Sequence, residues 1–404
     1  MSGFFEQYGQ AVITALGFFW KAGWAFVVGY FISSMIQAFV PKKELTKYMG
    51  EADFESISLS TIFGAASSSC SFAALATARA LLQKGAHFIA SVAFMFASTN
   101  LVIELGILIL IFLGWEFLLA EIIGGLVLIT ISSILIKLTY PDKWVKDARE
   151  KVNRETDLEE DFDWKKRIKS KEGWRLVGHK FVMEWDMVWE EILIGFTIAG
   201  FVAVFIPTEF WSTIFLMDYV GQLPDWLIAL ENALVAPFVA AMTFIGSMGN
   251  IPLATVLNAN GVLFAGIMGF IYSDLMVPPL VAVNAKYYGK KVALYIAGIM
   301  FVSIVLTALI LNGVFSVFGI VPESNKVITQ LTQFKIDYTF WLNLVLTFLA
   351  AGLIYLHKKH VSSQEQEGDG MEMEGKTTLK RKVTYAFIAI LIGGLFTRTI
   401  IALF

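Results

Sequence analysis

Residues 226–257 read WLIALENALVAPFVAAMTFIGSMGNIPLATVL, an apolar run interrupted at Gly246-Ser247-Met248-Gly249-Asn250-Ile251-Pro252. About 18 apolar residues suffice to cross a ~30 Å hydrocarbon core as a helix, and Gly, Pro and small polar residues break helices. The run is therefore long enough to enter a bilayer but is divided near its middle. Residues 56–82 have the same character, with the break at Ser67-Ser68-Ser69-Cys70-Ser71. Whether such a segment crosses or turns back is decided by the charges on either side of it.

Around these two broken segments lie eight uninterrupted apolar stretches: 23–40, 87–113, 116–138, 187–206, 262–283, 292–318, 338–356 and 383–404. With 57% hydrophobic and 16% charged residues, and a mean hydropathy of +0.67, a soluble enzyme fold is excluded for most of the length. The runs are continuous rather than alternating, which excludes a membrane β-barrel. The expected fold class is an all-α polytopic membrane protein of about eight transmembrane helices plus two re-entrant helical hairpins.

Lys and Arg crowd three connectors, 143–180, 286–291 and 358–382, which should be cytoplasmic, whereas 207–225 carries only acidic charges and should face out. If both 226–257 and 262–283 crossed fully, Lys286, Lys290 and Lys291 would lie outside. The broken segment must therefore return to its own side. The same parity, counted from Lys42, Lys43 and Lys47 to Lys84 and Lys143, makes 56–82 a hairpin from the cytoplasmic side. This arrangement puts the N- and C-termini outside.

The halves also match in order. Phe39-Val40-Pro41 aligns with Phe205-Ile206-Pro207, Ala74-Leu75-Ala76-Thr77 with Pro252-Leu253-Ala254-Thr255, Gly85 with Gly261 and Phe94 with Phe270. Each unit has an odd number of crossings, so the two units should be inverted, the architecture of secondary transporters with a midplane site. The predicted organisation is a first membrane repeat over 1–138, a charged cytoplasmic linker over 139–185, a second repeat over 186–318, and two C-terminal helices over 319–404 with a disordered acidic loop near 362–375.

Helices starting near Ser71 and Ile251 would point their positive N-terminal ends at the membrane centre, where polar or anionic ligands bind. The candidate substrate-binding residues are Ser67, Ser68, Ser69, Cys70, Ser71, Ser247, Met248, Gly249, Asn250 and Asn100, against the plainer reading that these side chains cap the hairpins. The alignment sets Cys70 opposite Met248, a soft pair, but buried Cys and Met more often fill cores, and no metal site is assigned. Ionisable groups inside an apolar span are costly and default to functional candidates. Asp274, ahead of Pro278-Pro279, and Glu104, one turn after Asn100, are read as proton or cation coupling sites; a structural pair with Arg79 is the alternative. His357 and His360 are read as interfacial.

The motifs resemble the predicted permeases of the ArsP/YraQ type, some of which export trivalent organoarsenicals. Members carry in each half a short Cys/Ser/Gly motif, then Pro-Leu and a downstream Gly. Residues 246–253 fit this pattern, and residues 68–75 fit it with Ser68 where a cysteine is common, Ser71 for Gly and Ala74 for Pro. The resemblance covers roughly residues 19–318 and implies eight spans and a permease function.

The expected function is secondary-active efflux of a small solute across the cytoplasmic membrane; the alternative is a passive channel for a small solute or ion. No enzyme activity and no cofactor are expected. A net charge of -3 provides no basic field for nucleic acid. The expected partners are a small-molecule substrate and the lipid bilayer, with a homo-oligomer compatible. A single cysteine excludes an intramolecular disulfide, and Glu6 without any Lys or Arg in residues 1–10 argues against a cleavable signal.

Overall fold

The computed structural model describes residues 2–39, 49–67, 71–83, 85–140, 143–146, 167–322, 327–366 and 379–403. Their regular structure is helical, with no β-strand among the described residues. Continuous apolar sequence in lipid can satisfy its backbone only within a helix. The chain runs through α1 (Ser2–Phe39), α2 (Phe54–Ser67), α3 (Ser71–Gln83), α4 (Phe88–Asn100), α5 (Ile103–Phe112) and α6 (Trp115–Thr139). It continues through α7 (Lys171–Phe205), α8 (Asp225–Thr243), α9 (Ser247–Ala259), α10 (Phe264–Ile271), α11 (Pro278–Tyr288), α12 (Lys290–Val317), α13 (Tyr338–Gln366) and α14 (Leu379–Leu403). Seven of these helices are long and apolar enough to cross a membrane, and the bent pair α4–α5 makes an eighth span if taken together. The fold is thus an all-helical, multi-pass membrane architecture.

Two stretches read as unbroken crossings are discontinuous. Within 87–113, α4 and α5 meet at a bend of 40°. No Pro or Gly lies at the bend; Ser98, Thr99 and Asn100 turn their side chains back onto the carbonyls of Met95 (3.1 Å), Phe96 (3.3 Å) and Phe96 (3.0 Å). Such bonds compete with the helix ladder and bend it. Within 262–283, α10 stops at Ile271, a 3-10 turn spans Asp274–Met276, and α11 starts on Pro278. Proline is accommodated at a helix start because its missing N–H is not needed there, and it holds the preceding Val277 extended. The segment 226–257 is divided as expected, although α8 by itself reaches the length and hydropathy of a crossing. In the acidic loop, α13 runs through Gln366, and residues 367–378 lie outside the described residues.

The element order of α1–α6 recurs in α7–α12, and so does the packing. α2 packs on α4 as α8 does on α10, α4 on α6 as α10 does on α12, and α5 crosses onto α9 as α11 does onto α3. α1 lies along α7 and α6 along α12, while α13 and α14 pack against the α1–α7 pair. The turn chemistry recurs as well. α3 ends at Gly85 (φ +97°) and α9 at Gly261 (φ +90°). At each, the glycine N–H bonds a carbonyl three residues back, and the next N–H reaches five residues back, Ala86 to Leu81 and Val262 to Leu257. This is the Schellman closure, which needs a left-handed residue. Gly114 (φ +117°) and Gly289 (φ +90°) likewise start α6 and α12, an equivalence that sequence matching did not find.

Nothing lies within 4 Å of a Cβ built on Gly85 or Gly261, so a side chain there costs only backbone strain. Gly85→Ala and Gly261→Ala should each destabilise the protein by about 1–2 kcal/mol. Gly313→Ala, also in open space but inside α12, should stabilise it by about 0.5–1 kcal/mol. Thermal unfolding in detergent reads both signs.

Candidate functional site

At the first helix break, Ser67 closes α2 and Ser71 opens α3; Ser68, Ser69 and Cys70 lie outside the described residues. The Ser67 carbonyl accepts from Ser33 Oγ and Gln37 Nε2 of α1, each at 3.4 Å, and Gln37 also donates to Glu184 of α7. The Ser67 hydroxyl donates back to Gly64 (2.8 Å), so this side chain caps its own helix.

At the second break, Phe244 takes a left-handed φ of +56°, and Asn250 stitches the turn. Its Nδ2 donates to the Ile245 carbonyl (3.0 Å), and its Oδ1 accepts from Thr243 Oγ1 (3.2 Å). The geometry gives Asn250 a structural task. Gly249 serves close packing: a Cβ on Gly195 of α7 would stand 2.7 Å from Gly249 Cα. Met248 packs against the main core and Ser247 is buried. Among the described residues no group of three His, Cys, Asp or Glu is arranged to hold a metal.

The two breaks converge on Asp274, which is fully buried. Ser71 Oγ donates to Asp274 Oδ2 at 3.2 Å, joining residues 203 positions apart. The Thr99 hydroxyl and the Leu275 N–H also face this carboxyl, and Glu191 of α7 lies within electrostatic reach. A Cβ on Gly246 would stand 2.6 Å from Glu191 Oε2 and 3.7 Å from Ser71 Oγ. Both breaks, the 3-10 turn and α7 therefore meet at one point. Asn100 adjoins through a bond from its Nδ2 to Thr99 Oγ1 (3.1 Å).

Glu104 is also fully buried, but it packs on Gly29 of α1. Arg79 is placed with its guanidinium 4.8 Å over the Tyr287 ring of α11. His357 and His360 meet His179 of α7, with His179 Nδ1 and His357 Nδ1 3.1 Å apart; these two rings stack within 10° of parallel.

Beside the convergence is a cavity of about 530 Å³ whose walls include Phe72, Glu191, Ile245, Gly246, Pro279 and, from α14, Phe387. Among the described residues its lining is apolar except for Thr243 and the ionisable group Glu191. Sequence reading passed over Glu191 because it sits near the polar edge of the run 187–206. The rule that raised Asp274 applies equally to it, and to Glu121 inside 116–138.

A family model described as a predicted permease matches residues 7–313. The chain belongs to this permease family. The Mycobacterium tuberculosis protein named "Putative permease Rv2963" is 32% identical over 327 residues, covering 78% of this chain and 79% of that protein. YraQ of Escherichia coli is 25% identical over 129 residues, covering 32% of this chain and 35% of its own. No solved structure matches the chain. The match spans both helix breaks and Asp274, so the convergent cluster lies inside the family region. The permease is a multi-pass membrane transporter.

Proposed function

We propose that this permease exports a small solute across the cytoplasmic membrane by secondary-active transport, through a midplane site between two re-entrant hairpins, α2–α3 and α8–α9, related as inverted repeats. The observation that carries the reading is the Ser71–Asp274 hydrogen bond, which ties the tip of one hairpin to the broken helix of the other half beside an open cavity. Discontinuous helices of this kind free backbone groups for a substrate where they line a cavity. The recurrence of helix pairs and glycine turns supports two equivalent units. In this reading Ser71, Ser247, Gly246 and Glu191 border the solute, and Asp274 couples transport to a proton or cation. The termini lie outside.

The cavity walls suit a small, largely apolar solute with one polar or cationic group. Thermal shift of the purified protein with oxyanions, organosulfur compounds and trivalent arsenicals should find a stabilising class. Gly246→Leu should lose that shift, because its Cβ would meet Glu191 Oε2 and Ser71 Oγ and the side chain fills the space between the tips. An equal shift in both proteins would place the solute elsewhere. In a Cys70→Ala background, a cysteine at position 84 should react only from the cytoplasmic side; reaction from outside would overturn the inverted arrangement.

A further inference from the structure

Glu121 lies on α6 and is 2% exposed. Neither of its carboxyl oxygens has a hydrogen-bond partner among the described residues. The one neighbouring hydroxyl, on Tyr272, is shared between the backbone carbonyls of Ala120 (2.9 Å) and Glu121 (3.3 Å) and also faces the Glu121 carboxyl. The approach is made by packing: Gly124 and Gly125 of α6 leave room for Tyr272 and Leu101. A charged carboxylate buried without donors is strongly disfavoured, and Asp274 is close enough for the two carboxyls to repel.

Glu121 is also not sealed off. A groove of about 390 Å³ runs between α5 and α6, lined among the described residues by apolar side chains except at its floor, where Asn100 and Glu121 lie. Its lips, Ile103, Leu110, Ile122 and Leu126, are exposed on the outside of the bundle. Asn100 Oδ1 likewise has no partner among the described residues. The unpartnered polar atoms at the floor are all acceptors, and a proton is what such atoms lack.

We propose that Glu121 is a proton-carrying group of the permease, alternating with Asp274 so that the pair holds at most one negative charge. A proton entering along the groove adds to the Glu121 carboxylate; its release restores the carboxylate while Asp274 is protonated. The proposal rests on the secondary-active reading above and adds a second group to its coupling site. The other titratable groups on elements around α6 are remote or turned away. Glu104 of α5 packs on Gly29 of α1, Glu191 of α7 faces Gly246 and Asp274, and Tyr295 of α12 bonds Thr139 at the far end of α6 (2.8 Å). Lys291 sits over Trp144 beyond that end.

Dicyclohexylcarbodiimide, an apolar reagent for protonated carboxyls, tests this on the full chain in membrane vesicles without any solute. Peptide mass spectrometry should find Glu121 modified at about pH 6, where an ordinary glutamate is ionised, and at least about tenfold less modified by about pH 9. In Asp274→Asn, which removes the like charge, the same fall should come at lower pH; Glu104→Gln should leave it unmoved. Absence of the adduct, an adduct independent of pH, or protection by sodium over choline at fixed pH would each overturn the proposal. If labelling follows pH while transport ignores a proton gradient, the proton site stands and the secondary-active reading falls.

Discussion

Asp274→Asn should abolish net solute transport driven by a pH gradient in proteoliposomes, while solute-for-solute exchange survives. The substitution keeps the volume of a fully buried side chain. The amide oxygen still accepts from Ser71, and the amide N–H₂ occupies the position of Oδ1, which has no partner among the described residues. The stability cost should be that of one buried N–H₂ without an acceptor, about 1–3 kcal/mol. What disappears is the group that gains and loses charge as exposure alternates between sides. Coupling needs a site whose occupancy differs between the two states, and a neutral amide has no such difference. Flux measured with the solute selected by thermal shift should fall to that of empty vesicles under a gradient. Full gradient-driven flux in Asp274→Asn would remove Asp274 from the coupling role and leave that role to Glu121.

Leucine at Gly195 or Gly249 should cost about 3 kcal/mol and lose the folded protein in detergent, an effect larger than any expected at the polar residues of the tips. A Cβ on Gly195 would stand 2.6–2.8 Å from the backbone of Gly249, and one on Gly249 would stand 2.9 Å from the Glu191 carbonyl. These neighbours are main chain, which cannot rotate aside. Close helix approach through small residues is how helices associate when lipid removes the hydrophobic drive between them. Gly298→Leu is the control, since nothing lies within 4 Å of its Cβ. Thermal midpoints and monodispersity on size exclusion separate the variants; a folded, active Gly195→Leu would show that α7 and α9 are not held by this contact. The sequence alone places Gly249 in a binding turn; the fold adds its close packing against Gly195 of α7.

The membrane architecture was legible in the sequence because lipid acts residue by residue. Six of the eight uninterrupted apolar runs became single helices, the first polar break fell between α2 and α3, the second fell at 244–246 with Ser247–Pro252 inside α9, and the motif around them identified the family. Gly85 and Gly261 were matched on sequence, and both proved to be left-handed helix closures. The break at Asp274 was signalled by Pro278-Pro279, but the bend after Asn100 was not, because it comes from side chains competing for local carbonyls rather than from a breaker residue. Tertiary structure alone decided which buried carboxyls meet. Asp274 reaches Ser71 across 203 residues, Glu191 joins them, Glu121 faces a groove, and Glu104, equally central in its span, turns to Gly29 of α1. Hydropathy measures the cost of placing a charge in lipid and is a local property. Which charge shares a site with which depends on how helices far apart in sequence pack, and here small residues such as Gly29, Gly195 and Gly249 set those approaches.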